Sequence, residues 1–79
     1  MNLTETTIQF GWKKVENANF YRIRRDGEVV VETKELSFLD KNLIPSTNYV
    51  YFVEAVIWDG EVVATSDNFK VSTKDKSYV

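Results

Sequence analysis

Hydrophobic and polar positions alternate along most of this chain. From Thr6 to Trp12, Ile8, Phe10 and Trp12 fall on one side and Thr7, Gln9 and Gly11 on the other. That is the period of a half-buried strand. Phe20 to Arg25 repeats it, with Tyr21 and Ile23 on one face and Arg22 and Arg24 on the other. Asp26-Gly27 comes next, the strongest short hairpin signal, because a type I′ turn needs positive φ at both central residues. Glu28 to Thr33 returns as a third strand through Val29, Val30 and Val31. A short strand at Ser37 to Leu39 leads into Asn42-Leu43-Ile44-Pro45-Ser46-Thr47, a corner, since Pro45 has no N–H to give to a central ladder. Asn48 to Trp58 is the longest apolar run, and Asp59-Gly60 closes a second hairpin. Glu61 to Thr65 and Phe69 to Thr73 are the last extended segments, with a bulge or kink at Ser66-Asp67-Asn68. Lys74 to Val79 reads as a tail or linker.

No helical periodicity competes with these strands, so the pattern predicts an all-β sandwich or small barrel. Two segments nearly repeat: Asp26-Gly27-Glu28-Val29-Val30-Val31 and Asp59-Gly60-Glu61-Val62-Val63-Ala64. A solenoid needs about three or more repeats. The expectation is therefore two hairpins built on the same turn chemistry.

Composition narrows the chemistry. Seventy-nine residues make one domain. The content of 43% hydrophobic and 14% aromatic residues is that of a folded chain. There is no His and no Cys, which excludes imidazole acid–base chemistry, thiol nucleophiles, disulfides and zinc sites built on those ligands. No cofactor is implied. A net charge of −2 does not favour nucleic acid as a partner. No apolar run approaches the ~20 residues of a membrane span, and Met1 to Thr7 is too polar for a signal peptide. Asn2-Leu3-Thr4 matches a glycosylation acceptor, a pattern short enough to recur by chance.

Phe38 to Val56, read as one string, contains Leu43-x-Pro45-x-Thr47-x-Tyr49-x-Tyr51-x-Val53-x-Ala55-Val56. This resembles the E-to-F segment of a fibronectin type III domain. Trp12 resembles that family's strand-B tryptophan, Tyr21-Arg22-Ile23 its strand-C core, Asp26-Gly27 its C–C′ turn, and Ser66 to Thr73 its closing strand G. The likeness spans residues 6 to 73, with residues 74 to 79 left as the tail, and its flavour is that of bacterial copies in secreted multidomain proteins. The resemblance implies an immunoglobulin-like two-sheet sandwich. Leu43, Pro45 and Tyr49 would form its structural corner, with the Tyr49 hydroxyl bonding back to the backbone. Phe38, Leu43, Tyr51, Val53 and Ala55 would meet Ile8, Phe10, Trp12, Tyr21, Ile23, Phe69 and Val71 in the core. Only eleven residues precede Trp12, so strand A is short or missing. If it is missing, strand B is a bare edge.

No catalytic constellation appears: the carboxylates scatter over strands and turns, and the glycines make no phosphate loop. If Tyr51, Val53 and Ala55 point inward, then Val50, Phe52, Glu54, Val56 and Trp58 point outward beside Phe20, Arg22 and Arg24. An apolar patch with a charged rim is the usual form of an interaction face. The competing expectation is that Arg stems and Arg–Glu pairs cover the apolar side chains. The resemblance implies a non-catalytic module, a spacer or protein-interaction unit in a larger extracellular or cell-surface protein. Its partners would be neighbouring domains or another protein, with weak self-association as a further option. The alternative is a small carbohydrate-binding domain using Trp58.

Overall fold

The computed structural model describes residues 1–76; the last part of the expected tail, residues 77–79, lies outside the described residues. Among the described residues, eight strands and no helix make two antiparallel sheets. They are β1 (Asn2–Leu3), β2 (Ile8–Gly11), β3 (Phe20–Arg25), β4 (Glu28–Thr33), β5 (Ser37–Asp40), β6 (Asn48–Val56), β7 (Val62–Thr65) and β8 (Phe69–Ser72). The smaller sheet runs β1-β2-β5. The larger runs β4-β3-β6-β7, with β8 also pairing β6. Strand A therefore exists as the two-residue β1, pairing Asn2 with Gln9 and Leu3 with Ile8.

The alternation in the sequence becomes a core between the sheets. Ile8, Phe10, Tyr21, Ile23, Leu43, Tyr49, Tyr51, Val53, Ala55 and Val71 are buried in one cluster, and Trp12, Phe38 and Phe69 pack against it. Phe10 is its aromatic centre, within 5.0 Å of the Tyr51 ring, 5.1 Å of Phe69 and 6.1 Å of Phe38. β2 stops at Gly11, one residue short of the expected strand. Trp12 N–H donates to the Leu36 carbonyl (2.9 Å) as the chain turns away.

The corner forms as the resemblance implied. Tyr49 Oη accepts the Ile44 N–H at 2.9 Å. Pro45 is followed by Ser46 at φ 54, the positive φ that a type II turn places after its proline. Lys74 and Asp75, expected in a tail, are tied down. Lys74 N–H donates to the Thr4 carbonyl, and Ser46 Oγ donates to Asp75 at 2.8 Å.

The two near-identical hairpins turn differently. Asp26 and Gly27 both have positive φ (51° and 87°), as a two-residue type I′ loop requires. In the second hairpin only Gly60 does (φ 92°). Gly60 N–H donates to the Ile57 carbonyl and Ile57 N–H to the Glu61 carbonyl. This is a three-residue loop, a type I turn closed by a left-handed glycine. The expectation of shared turn chemistry is thus corrected: Trp58 is drawn into the loop, and Asp59 keeps an ordinary φ.

One polar group crosses the sandwich. Asp40, 5% exposed, sits at the end of β5 in the small sheet. It accepts Tyr51 Oη–H at 2.6 Å, and Arg25 Nη1 reaches both its oxygens at 2.8 and 2.7 Å. Tyr51 and Arg25 belong to the large sheet. Burial, then the hydrogen bond to Asp40 and its charge, push the Tyr51 hydroxyl well above its ordinary 10.0. Asp40→Ala would strand the buried Tyr51 hydroxyl and deprive the half-buried Arg25 of its partner, so a loss of about 2 kcal/mol is expected in urea denaturation. A raised tyrosine pKa contributes stability that is complete below the unfolded value and is lost as pH climbs beyond it. Wild type should therefore lose stability as pH rises past about 10, and Tyr51→Phe should lose less over the same interval. Equal slopes in an alkaline series of urea midpoints would remove Tyr51 as the cause.

Candidate functional site: the outer face of the large sheet

The outer face is built across β4, β3 and β6. Cross-strand register sets Arg22 between Glu32 on β4 and Glu54 on β6, Arg24 opposite Phe52, and Phe20 opposite Val56. Side chains directly opposite share a face. Arg22 Nε bonds Glu32 at 3.1 Å, Arg22 Nη1 lies 3.8 Å from Glu54, and Arg24 Nε bonds Glu54 at 2.7 Å. Glu54, whose side chain is 13% exposed, is gripped by two arginines. The charges therefore form a ladder across the middle of the face.

That ladder divides the expected apolar patch in two. At one end lie Val50 and Phe52, both half-buried. There Asp26 accepts the Val50 N–H at 2.9 Å and its own N–H donates to the Val50 carbonyl. At the other end lie Phe20 and Trp58, ring centroids 5.9 Å apart and tilted by 35°. Lys34 Nζ sits 4.9 Å from the Trp58 ring centre, a cation–π distance. Trp58 remains 68% exposed. Phe20, Glu32, Thr33, Lys34 and Trp58 surround an open cleft of about 300 Å³.

Val56 is corrected: expected on the outward face, it is 0% exposed. Phe20 stands directly across from it, and Trp58, two residues on, closes ring to ring with Phe20, so the valine is roofed over. Phe20, Arg22, Arg24, Val50, Phe52 and Glu54 are half-buried, and of the expected face only Trp58 stands out into solvent. Leu43, Pro45 and Tyr49 stand at the corner, apart from this face.

Sequence reasoning missed three participants in this face and, in the core, Asp40. Glu32 completes the charge ladder, and Lys34 covers Trp58. Asn19 accepts the Trp58 N–H at 2.9 Å and fixes the base of its loop. Asp40 lies two residues from inward-facing Phe38, so strand phase alone puts its carboxylate inside. Among the described residues, no three His, Cys, Asp or Glu side chains stand close enough together to hold a metal ion.

The geometry defines a β-sandwich with a charge-laddered outer face, and comparison with solved structures gives it a class. The chain has the fibronectin type III fold. It superposes on the sixth fibronectin type III domain of human fibronectin type III domain containing protein 3 with a TM-score of 0.80. The two are 22% identical, and the match covers 96% of this chain and 79% of that one. It also superposes on part of the Yersinia enterocolitica family 28 exopolygalacturonase, with a TM-score of 0.83 and 19% identity. That match covers 94% of this chain and 19% of the enzyme. In sequence it is 36% identical over 53 residues to a poly(3-hydroxybutyrate) depolymerase of Ralstonia pickettii. It is 36% identical over 59 residues to usherin of Rattus norvegicus. Each sequence match takes in 67% of this chain, but only 11% of the depolymerase and 1% of usherin. No family model matches the chain.

Removing Glu54 leaves Arg24 without a carboxylate partner on a half-buried surface, beside an Arg22 that keeps only Glu32. Glu54→Ala is expected to lower stability by about 1–2 kcal/mol. The loss should shrink as added salt screens the two guanidinium groups. A urea midpoint indifferent to the substitution at low salt would show that the ladder contributes nothing.

Proposed function

We propose that this chain is a non-catalytic module that works as a spacer and protein-interaction unit within a larger extracellular protein. The observation that carries the reading is modularity. Sequences or folds like this one occupy small fractions of long, dissimilar proteins: a depolymerase, usherin and an exopolygalacturonase. A unit that recurs beside unrelated activities supplies geometry rather than chemistry. The fibronectin type III fold is typically non-catalytic, and the scattered carboxylates here offer no nucleophile–base pair.

The spacer role has a structural logic. β1 runs toward the end of the sandwich where Lys74 N–H meets the Thr4 carbonyl. In this reading a segment joined ahead of β1 would run opposite to one joined after β8. The principal extents are 50 × 19 × 18 Å, an elongated body suited to a spacer. The Asp40 bridge and the tyrosine corner stiffen that rod. Docking onto a neighbour would use Val50 and Phe52, beside the guanidinium groups of Arg22 and Arg24.

A second reading rests on Trp58. It is 68% exposed and borders a cleft that also presents Glu32, Thr33 and Lys34, the mixture of ring and polar groups that a sugar uses. Against it, Phe20 and Lys34 already engage the indole.

Two measurements separate these readings. Phe52→Lys should weaken association with the adjoining domain, or with a captured protein partner, by at least about tenfold, since buried aromatic anchors carry ~2 kcal/mol or more. Unaltered association would reduce the face to a sheet exterior. Titration with soluble polysaccharides should leave tryptophan fluorescence unchanged. A saturable shift absent from Trp58→Ala would instead favour the carbohydrate reading.

A further inference from the structure

The two Asp-Gly steps of this chain are held in different ways. Asp26 and Gly27 are exposed at the tip of the hairpin between β3 and β4. Yet Asp26 N–H donates to the Val50 carbonyl at 2.7 Å, and the Asp26 carboxylate accepts the Val50 N–H at 2.9 Å. Arg24 Nη1 donates to the Gly27 carbonyl at 3.0 Å. Val50 belongs to β6, which has strands on both sides. The first step is therefore clamped to the middle of the large sheet.

Asp59 and Gly60 are exposed too, but their bonds stay inside their own loop. The Asp59 carboxylate accepts the Glu61 N–H at 2.9 Å. Gly60 N–H donates to the Ile57 carbonyl at 2.9 Å, and Ile57 N–H to the Glu61 carbonyl at 3.0 Å. The stem beyond the loop is irregular. Pairing of β7 with β6 shifts register between Ala55 and Val56, which makes Val63 a bulge, and a bulge disrupts the ladder locally. Local opening costs almost nothing in a loop and up to the full unfolding free energy in a central strand. The second step therefore opens far more often than the first. A Cβ at either glycine would meet nothing within 4 Å, so neither step is shielded by its neighbours.

We propose that Asp59-Gly60 is a self-modification site, at which the folded protein converts aspartate to isoaspartate. When the loop opens, the Gly60 amide nitrogen leaves the Ile57 carbonyl and attacks the protonated Asp59 carboxyl carbon. A C–N bond forms, and water leaves with the carboxyl's hydroxyl and the amide proton. Glycine suits the step because it has no Cβ to crowd the nitrogen or to restrict the backbone. A water molecule then adds to the main-chain carbonyl of the five-membered imide and breaks its bond to the Gly60 nitrogen. The chain now runs through the former side chain, one methylene longer, and the old main-chain carbonyl carbon is the free carboxylate. Mass and charge are unchanged overall. The extra methylene falls next to Trp58, in a loop anchored where Asn19 accepts the Trp58 N–H. The lengthened loop no longer fits its turn bonds, so the modification loosens the indole from Phe20 and Lys34.

The test is to age the folded protein for weeks in warm neutral buffer, beside the same chain unfolded in urea. Digestion with the protease Asp-N, which cuts before aspartate and not before isoaspartate, then maps both sites. In the folded protein, cleavage at Asp59 should be lost at least about tenfold faster than at Asp26. In urea the two rates should converge, because both aspartates are followed by Gly-Glu-Val-Val. Asp59→Glu, a change at an exposed position, should leave Asp26 as the remaining Asp-Gly site and its slow rate unaltered. In the purified isomerised protein the Trp58 amide should exchange with solvent at least about tenfold faster than before. Equal rates at the two sites of the folded protein overturn the proposal, since they would show reaction through global unfolding. An Asp59 that stays intact in the folded protein while the urea-unfolded chain reacts overturns it as well. A Trp58 amide equally protected after isomerisation overturns the coupling to the indole.

Discussion

The bond between Tyr51 and Asp40 is the constraint around which this sandwich is arranged. Tyr51 is 0% exposed, and its ring lies against Phe10 of the small sheet and stacks on Phe69 of the large one. A ring so placed takes its hydroxyl into the core, where an unpaired polar group is costly. Asp40 supplies the acceptor from the opposite sheet, and a buried carboxylate in turn needs a cation. Arg25 meets that need from β3, with its guanidinium 5.8 Å from the Tyr49 ring. Each group is satisfied only when β3, β5 and β6 occupy their places together. In a domain of 79 residues with no disulfide, such a bridge fixes the relative position of two sheets that apolar packing alone would allow to slide.

The architecture was legible because β6 obeys a strict period of two. Tyr49, Tyr51, Val53 and Ala55 all face the core, and that phase sets the faces of the strands paired with it. The corner was legible because Pro45 and Tyr49 have few other roles at that spacing. What local pattern could not decide is how neighbours complete a feature. Identical Asp-Gly dipeptides gave a two-residue loop in one hairpin and a three-residue loop in the other. The second is held open where Asn19, far away in sequence, captures the Trp58 N–H. Val56 obeys its phase yet is buried, because Phe20 and Trp58 close above it. Asp40 had a readable phase, two residues from Phe38, but the partners that make a buried carboxylate tolerable come from β3 and β6.

The outer face shows why function was legible only as a class. Arg22, Arg24, Glu32 and Glu54 look in sequence like the charged rim of a docking patch. In three dimensions they satisfy one another and lie across the middle of it. Pairs of this kind pack long side chains over apolar neighbours and keep a sheet exterior soluble. With the charges mutually neutralised, the proposed docking role of this face falls to apolar contact at Val50 and Phe52.

What the fold leaves least covered lies at its second hairpin. Trp58 is a large ring that the three-residue loop carries outward and that Phe20 and Lys34 cover only in part. A side chain in a loop can change without disturbing the core, whereas the laddered residues of β3, β4 and β6 are tied to one another. The neighbouring β7 has a strand on one side only. Its pairing with β6 shifts register between Ala55 and Val56, which makes Val63 a bulge, and a bulge is one of the devices that keep an edge from templating another strand.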